Sequence, residues 1–227
     1  MFLRRLFDLS ATVKKNHHHV SLNKGARSDL AWWHEFLTEW NGVSLLSALG
    51  EQDPSVIVTS DASGGWGCGA FWGSKWFQLA WDNTACSKEV NIATKEMIPI
   101  VIAAAMWGKA WEGEVVCCRC DNEAVVAVLN KRSSKDPDLM HLLRCLTFFE
   151  AKFSFRVVAT HIAGAKNTLA DDLSRDNLSS FLKAAGHMAL SGQSIPPQPL
   201  LDMLINHKVD WTLPTWRRMF RDTLDMV

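Results

Sequence analysis

Tyrosine is absent from the 227-residue sequence, although the chain carries 11 Trp and 11 Phe. Because the sequence has no phenolic hydroxyl, none of its 227 residues can act as a tyrosine nucleophile. A polymerase site built on a Tyr-x-Asp-Asp turn is excluded for the same reason. The absence of one residue type therefore removes two kinds of catalytic site.

The cysteines lack the spacing of a disulfide framework or of a zinc ribbon. None of the six falls in a Cys-x-x-Cys pair, and three of them crowd onto one short apolar run. Buried, reduced thiols of an intracellular protein are the expected alternative. The cysteines are Cys68, Cys86, Cys117, Cys118, Cys120 and Cys145.

Excess charge and long apolar runs are also missing. Lys and Arg number 24, as do Asp and Glu, so the chain lacks the bulk positive charge of a protein that coats nucleic acid. A nuclease is not excluded, because its acidic site offsets a basic surface elsewhere. No apolar stretch reaches about 18 residues, and residues 1–15 lack a signal-peptide core. We expect an intracellular protein without a membrane partner, in cytoplasm or nucleus.

The chain divides into three segments: a helical connection over 1–50, a domain over 51–176, and a linker with a tail over 177–227. The first contains a predicted helix over 29–40, with Ser28 as its N-cap and Asn41-Gly42 as its stop. His17-His18-His19 lies upstream and, without further ligands, is expected to form a solvated loop. After Asp176 the pattern loses regularity.

The central segment alternates strand and helix patterns. Strands are predicted over 56–59, 66–72, 75–81, 115–120 and 155–160, and Gly73-Ser74 forms a hairpin turn between the second and third. Helices are predicted near 94–111, over 123–130, from Asp136-Pro137 onward and over 168–175. Pro99 implies a late start or a kink in the first of these. The fold class is therefore α/β, with a mixed five-stranded sheet: a three-stranded antiparallel meander, two further strands and flanking helices.

Four carboxylates stand where strands end or helices begin. Asp61 and Asp121 end the first and fourth strands, and Glu96 and Asp171 belong to helices. Buried carboxylates are costly unless a cation compensates their desolvation, and neighbouring ones repel each other. Two divalent ions about 4 Å apart would resolve this conflict and would support in-line displacement at phosphorus.

These motifs resemble type I ribonucleases H in order and surroundings. They are Ser60-Asp61-Ala62-Ser63, Lys95-Glu96-Met97 and Cys120-Asp121-Asn122. The run from His161 to Arg175, His-Ile-Ala-Gly-Ala-Lys-Asn-Thr-Leu-Ala-Asp-Asp-Leu-Ser-Arg, is similar to the signature that closes this domain in gypsy-like and DIRS/Ngaro-like retroelements. The resemblance covers about 55–176.

The resemblance implies a ribonuclease H-like fold and a role for each residue. Asp61 bridges two Mg²⁺ ions, for which Mn²⁺ is an accepted substitute. Glu96 and Asp121 complete the ion on the leaving-group side, and Asp171 holds the other. His161, on a loop before the last helix, assists proton transfer or product departure. Asp172 is the nearest rival to Asp171, but adjacent helix residues face about 100° apart.

The flanking segments extend the resemblance. Arg27 to Leu46 is similar to the connection between polymerase and ribonuclease H in DIRS/Ngaro-like elements. Asp210 to Phe220 is similar to the stretch those elements carry before a tyrosine recombinase. We therefore expect a fragment or remnant of a retroelement polyprotein, whose partner is a polymerase domain absent from this chain.

The expected substrate is an RNA–DNA hybrid, which requires cations for its phosphates. Lys131, Arg132 and Lys135 are the local candidates, although an ordinary solvated basic loop has the same pattern. Four tryptophans in the hairpin region are expected to pack on the sheet and not to stack on bases. They are Trp66, Trp72, Trp76 and Trp81.

The predicted function is magnesium-dependent endonucleolytic hydrolysis of the RNA strand of a hybrid. A catalytically weak or inactive nucleic-acid-binding remnant of the same fold is the first alternative, but all four acids are intact. A DNA-strand nuclease or transposase is the second. Enzymes of that kind usually place a Glu in the last helix and lack the His-to-Asp motif.

Overall fold

The structure is a computed structural model that describes residues 3–15, 17–38, 53–81, 90–186 and 193–205. The described residues belong to two compact units, one with residues 3–15 and 17–38 and one with residues 53–81, 90–186 and 193–205. The boundaries expected at 50/51 and 176/177 stay predictions.

The described part of the smaller unit holds helices α1 (Arg4–Ala11) and α2 (Lys24–Thr38). Ser28 was predicted to cap the second helix, which was wrong, because its hydroxyl donates to the Lys24 carbonyl from within α2. The carboxamide of Asn23 accepts from the Ala26 N–H at 2.8 Å, so the helix begins one turn earlier. The triple histidine is exposed between the helices, as expected. The predicted stop at Asn41-Gly42 lies outside the described residues.

The larger unit is built on one five-stranded sheet. Strand order is β3-β2-β1-β4-β5, with β1, β2 and β3 antiparallel and with β1, β4 and β5 parallel. This confirms the predicted fold class. The strands are β1 (Val56–Ala62), β2 (Gly67–Trp72), β3 (Lys75–Ala80), β4 (Val115–Cys120) and β5 (Arg156–His161).

Helices cover the sheet and continue beyond it. They are α3 (Ile92–Trp107), α4 (Glu123–Lys131), α5 (Pro137–Phe153), α6 (Thr168–Ser174), α7 (Leu178–Ala185) and α8 (Gln198–Ile205). Short 3-10 turns occupy Gly108–Trp111 and Gly164–Lys166.

Helix α3 is buried along almost its whole length, because it packs against β1, β2 and α5. It begins at Ile92, earlier than predicted, since the Asn91 side chain accepts from the Ala93 N–H at 3.0 Å and caps the first turn. Pro99 lies inside the helix and removes one N–H donor. The apolar contacts on both sides of α3 compensate the lost hydrogen bond. Packing therefore keeps the segment helical although proline disfavours a helix interior.

Helices α4 and α5 are joined to β5 by a largely buried ion pair. Arg132 ends α4 in the left-handed conformation, and its guanidinium donates to both carboxylate oxygens of Glu150 at 2.6 and 2.7 Å. The same carboxylate accepts from the Val157 N–H at 2.7 Å. Helix α5 starts as predicted, with Asp136 as N-cap and Pro137 in the first turn.

Regular structure continues past Asp176, where the sequence was predicted to lose it. Helix α7 was missed, and its Phe181 and Ala185 pack against Trp76 and Leu173. The helix was missed although Leu178, Phe181, Leu182 and Ala185 recur at i, i+3, i+4 and i+7, the spacing of an amphipathic helix. The run from Ile195 to Pro199 was predicted to be a linker or extended segment. Residues 195–197 are irregular, but Gln198 and Pro199 begin α8, so the prediction is wrong there.

The cysteines bear out the expectation of buried thiols within the described residues. Five cysteines of the described residues are free and buried, and Cys86 lies outside those residues. No helix within the described ranges combines the length and hydropathy required to cross a bilayer.

Replacing Phe181 by Ala tests whether α7 belongs to the folded domain. The side chain is 2% exposed and rests on Trp76, so we expect the free energy of unfolding to fall by about 3–5 kcal/mol. The matched control is Leu182→Ala, one residue along on the exposed face of the helix. Equal urea midpoints for the two variants would show that α7 does not contribute to the core.

Candidate active site

Asp61 and Asp121 lie side by side because of the parallel pairing between β1 and β4. The register pairs Val56 with Val116 and Thr59 with Arg119, and its continuation brings the two aspartates level. Both therefore stand at the carboxyl edge of the central strands. The sequence predicted that the two aspartates lie side by side if the first and fourth strands are neighbours. The structure shows that these strands are paired.

Helix α3 brings a third carboxylate, Glu96, to the same edge. The ligand atoms of Glu96, Cys120 and Asp121 all lie within 4.8 Å of one another. The Cys120 thiol donates to Glu96 Oε2 at 3.8 Å. Helix α3 thus carries its glutamate, which is 5% exposed, into the space beside the two strand ends.

Asp61 is oriented by two residues of the signature run. Ser174 Oγ donates to Asp61 Oδ2 at 2.5 Å, and Asn167 Nδ2 donates to Oδ1 at 3.1 Å. Asn167 Nδ2 also lies 3.2 Å from the Ser60 carbonyl oxygen. Sequence reasoning gave neither Asn167 nor Ser174 a role, although both belong to the run that carries the resemblance.

Asp171 joins the group from helix α6, which packs on β1 and β2. Its Oδ1 accepts from Arg175 Nε at 2.6 Å, and its charge raises the pKa of Asp61. The four acids named from the sequence thus converge from four different elements. Their roles as ligands stay predictions.

Crowding and burial shift the proton affinities of these acids. Burial, followed by the charges of Asp121 and Asp171, raises the pKa of Asp61 to about 6, although the Ser174 hydroxyl opposes the shift. Burial, followed by the charges of Asp61 and Asp121, raises the pKa of Glu96 to about 9. Negative charge at this edge is therefore under-compensated by the protein itself.

The donor set fits a hard divalent cation. Carboxylate oxygens are the ligands that Mg²⁺ prefers, and a bound cation would reverse the repulsion that raises both pKa values. Asn167 Oδ1, in a side chain 2% exposed, has no hydrogen-bond partner among the described residues. The Cys120 thiol is a soft donor, but burial raises its pKa and disfavours the thiolate.

The turn after β1 is anchored from inside the domain. Lys95 is 2% exposed, and its Nζ donates to the Gly64 carbonyl at 2.9 Å and lies over the Trp81 ring. Trp81 Nε1 donates to the Ser63 carbonyl at 2.8 Å. The turn that borders Asp61 is therefore held in one position.

His161 was predicted to lie on the loop before the last helix, which is wrong, because it is the last residue of β5. The register pairs it with Cys120, which extends the sheet by one residue beyond the expected end. Its exposed ring places Nε2 3.2 Å from the Asp121 carbonyl oxygen. The imidazole thus borders the acidic edge from the third parallel strand.

The candidate hybrid-binding residues differ in what they contact. Lys131 and Lys135 are exposed. Arg132 has its charge neutralised by Glu150, so the geometry favours a structural part for it over a phosphate contact. The four tryptophans are buried or half-buried, and Trp72 packs against Trp107 and Trp111 rather than standing free for base stacking.

The antiparallel meander followed by two parallel strands is the sheet that the motifs implied. This sheet order agrees with the ribonuclease H-like fold that the resemblance implies. No protein-family model matches the sequence, and neither does any curated protein.

Similar solved structures are ribonuclease H domains. Ribonuclease H1 of the archaeon Halobacterium salinarum NRC-1 is 19% identical over 55% of this chain and 98% of its own, with a TM-score of 0.42. LC11-RNase H1, solved with an RNA/DNA hybrid, is 18% identical over 56% and 99%, with a TM-score of 0.43. The N-terminal RNase H domain of a Mycobacterium tuberculosis protein is 19% identical over 53% and 96%, with a TM-score of 0.43.

Substituting Glu96 by Gln should change how stability depends on pH in metal-free buffer. A raised folded-state pKa stabilises the fold at low pH, and the benefit is lost as pH rises from about 4.5 toward 9. At pH 7 the buried carboxyl costs on the order of 3 kcal/mol by this linkage. The variant should therefore match the wild type near pH 4.5 and exceed it increasingly up to pH 9.

Urea unfolding in EDTA across this pH range measures the effect. Glu112→Gln, at an exposed position, is the control and should show no such trend. A stability difference between Glu96→Gln and wild type that does not vary with pH would contradict the assignment.

Proposed function

We propose that this protein is a divalent-metal-dependent ribonuclease H that hydrolyses the RNA strand of RNA–DNA hybrids. The observation that carries the proposal is the convergence of Asp61, Glu96, Asp121 and Asp171 at the carboxyl edge of β1 and β4. Two of these acids are almost fully buried, which is unfavourable unless a cation is bound.

The four carboxylates would hold two Mg²⁺ ions, with Mn²⁺ as a substitute. When bound, such ions activate water and neutralise charge that develops on a phosphodiester. Asn167 and Ser174 fix the rotamer of Asp61, so the residue proposed to face both ions is preorganised by the chain itself.

His161 is proposed to move protons at its exposed imidazole. The ring stands beside Asp121 but touches none of the four carboxylates through a hydrogen bond that the structure gives. An imidazole in this position can take or donate a proton without occupying a metal ligand position.

Hybrid specificity is supported by the run from His161 to Arg175, whose letters follow the signature of retroelement ribonucleases H. Lys131 and Lys135 would contact phosphates along the duplex. Origin in a DIRS/Ngaro-like polyprotein is part of the proposal. One flank that suggests it, 210–220, lies outside the described residues.

A nucleic-acid-binding remnant with little activity is the second candidate. The raised pKa of Glu96 favours it in one respect, since a protonated Glu96 is a poor ligand at neutral pH unless a metal displaces the proton. The two candidates differ in turnover and not in fold.

Cleavage of labelled substrates separates these candidates. The wild-type protein is incubated with RNA–DNA hybrid, duplex RNA and duplex DNA, with Mg²⁺ and with EDTA. We expect Mg²⁺-dependent cuts in the RNA of the hybrid alone. Binding to hybrid without cleavage would establish the remnant, and cutting of duplex DNA would establish a DNA-strand nuclease.

Asp121→Asn should abolish Mg²⁺-dependent cleavage and leave the fold intact or slightly more stable in EDTA. A neutral amide relieves the repulsion with Asp61 and Glu96 but is a much poorer metal ligand. Hybrid cleavage and thermal unfolding are measured on one preparation. Cleavage at the wild-type rate would show that the two-metal assignment is wrong.

His161→Ala should slow turnover about 10²–10⁴-fold without weakening metal binding, because the imidazole acts outside the carboxylate cluster. A purely structural histidine predicts the reverse, a lower melting temperature with unchanged activity per folded molecule. Steady-state hybrid cleavage is therefore compared with Mg²⁺ titration and melting temperature. If His161→Ala keeps full activity per folded molecule, His161 is not catalytic.

A further inference from the structure

Arg175 places a cation at the acidic edge that the proposed chemistry has not used. It follows α6 directly, and its Nε donates to Asp171 Oδ1 at 2.6 Å. The guanidinium also interacts electrostatically with Asp61 and Asp121. Its side chain is 58% exposed, so the charge lies near all three acids and remains open to solvent.

An ion pair of this kind contributes little to folding, because exposed pairs four residues apart on a helix are well screened by water. The structure gives the two terminal nitrogens of Arg175 no partner among the described residues. Asp171 Oδ2 likewise has no hydrogen-bond partner there. Asp171 therefore fixes one side of the guanidinium and leaves its terminal N–H groups available.

The arrangement of those N–H groups suits the oxygens of a phosphate. A guanidinium presents parallel donors in a planar fork, and phosphate oxygens accept from it in pairs. Because Asp171 already holds this cation in place, the guanidinium does not have to reorient when charge develops on the substrate. Arg132, by contrast, is committed to Glu150 and is unsuited to this task.

We infer that Arg175 is a catalytic residue whose terminal N–H groups bind a nonbridging oxygen of the scissile phosphate on the Asp171 side of the site. The inference rests on the proposed function and adds to the proposed metal ions a positive charge that the protein itself supplies. If Arg175 were only a counter-ion for Asp171, its removal would instead free that carboxylate and lower the Mg²⁺ concentration required.

Kinetics of Arg175→Gln and Arg175→Lys separate these roles. We expect the glutamine variant to lose about 10²–10³-fold in kcat on hybrid, as when one charge-stabilising donor is removed. The lysine variant should recover part of the loss, since it restores the charge but not the fork. The control is Lys109→Gln, on the 3-10 turn that precedes β4. A wild-type kcat with a lower Mg²⁺ requirement in Arg175→Gln would overturn the inference.

Binding gives a readout that does not need turnover. Hybrid affinity is measured against salt concentration in the Asp121→Asn background, with and without Arg175→Gln. Loss of one phosphate contact should reduce the slope of log K against log salt by about 0.9. An unchanged slope together with unchanged kcat would show that Arg175 touches no phosphate.

The two failures remain distinguishable. If wild-type protein cuts no hybrid, the proposed function falls and the catalytic role of Arg175 falls with it, while the salt slope decides whether the residue contacts phosphate. If wild-type and Lys109→Gln protein cut hybrid and Arg175→Gln cuts it equally well, the inference about Arg175 alone is wrong.

Discussion

Uncompensated negative charge at the ends of β1 and β4 is the constraint on which the rest of this structure depends. Asp61 and Glu96 are nearly inaccessible to water, yet the charges that affect their pKa values most are those of other acids. A fold does not keep such a group for stability, because an apolar replacement would pack better. The surrounding features make sense as support for it: hydroxyl and amide donors hold Asp61, and a buried lysine holds the adjacent turn.

Much of this arrangement could be predicted from the sequence. The strands and helices α2 to α6 follow from residue periodicity and from turn and cap residues, and the order of acidic motifs predicted which elements meet. Helix α1 was not predicted. Asn167, Ser174 and Arg175 were present in the same signature run, but a spacing does not say which side chain faces which carboxylate. That information depends on how α6 lies across β1, which is set by tertiary packing.

The errors differ in physical origin. Ser28 and Asn23 are both good caps, and only the observed contacts, which span three and four residues, show which of them begins the helix. Helix α7 has the apolar spacing of an amphipathic helix, and the sequence does not show the hydrophobic patch of Trp76 and Leu173 on which it packs. The first error is decided by local hydrogen bonds and the second by tertiary packing.

The bond between Ser174 and Asp61 joins residues 113 positions apart, and the central strand pairs with one that comes about 60 residues later. Loop-closure entropy delays such contacts until most of the chain has been made. During synthesis Asp61 therefore lacks the hydroxyl that fixes its rotamer until Ser174 has left the ribosome. A nascent chain that ends before this point also lacks a complete helix α6, so the acidic group acquires its last members only when most of the domain has been made.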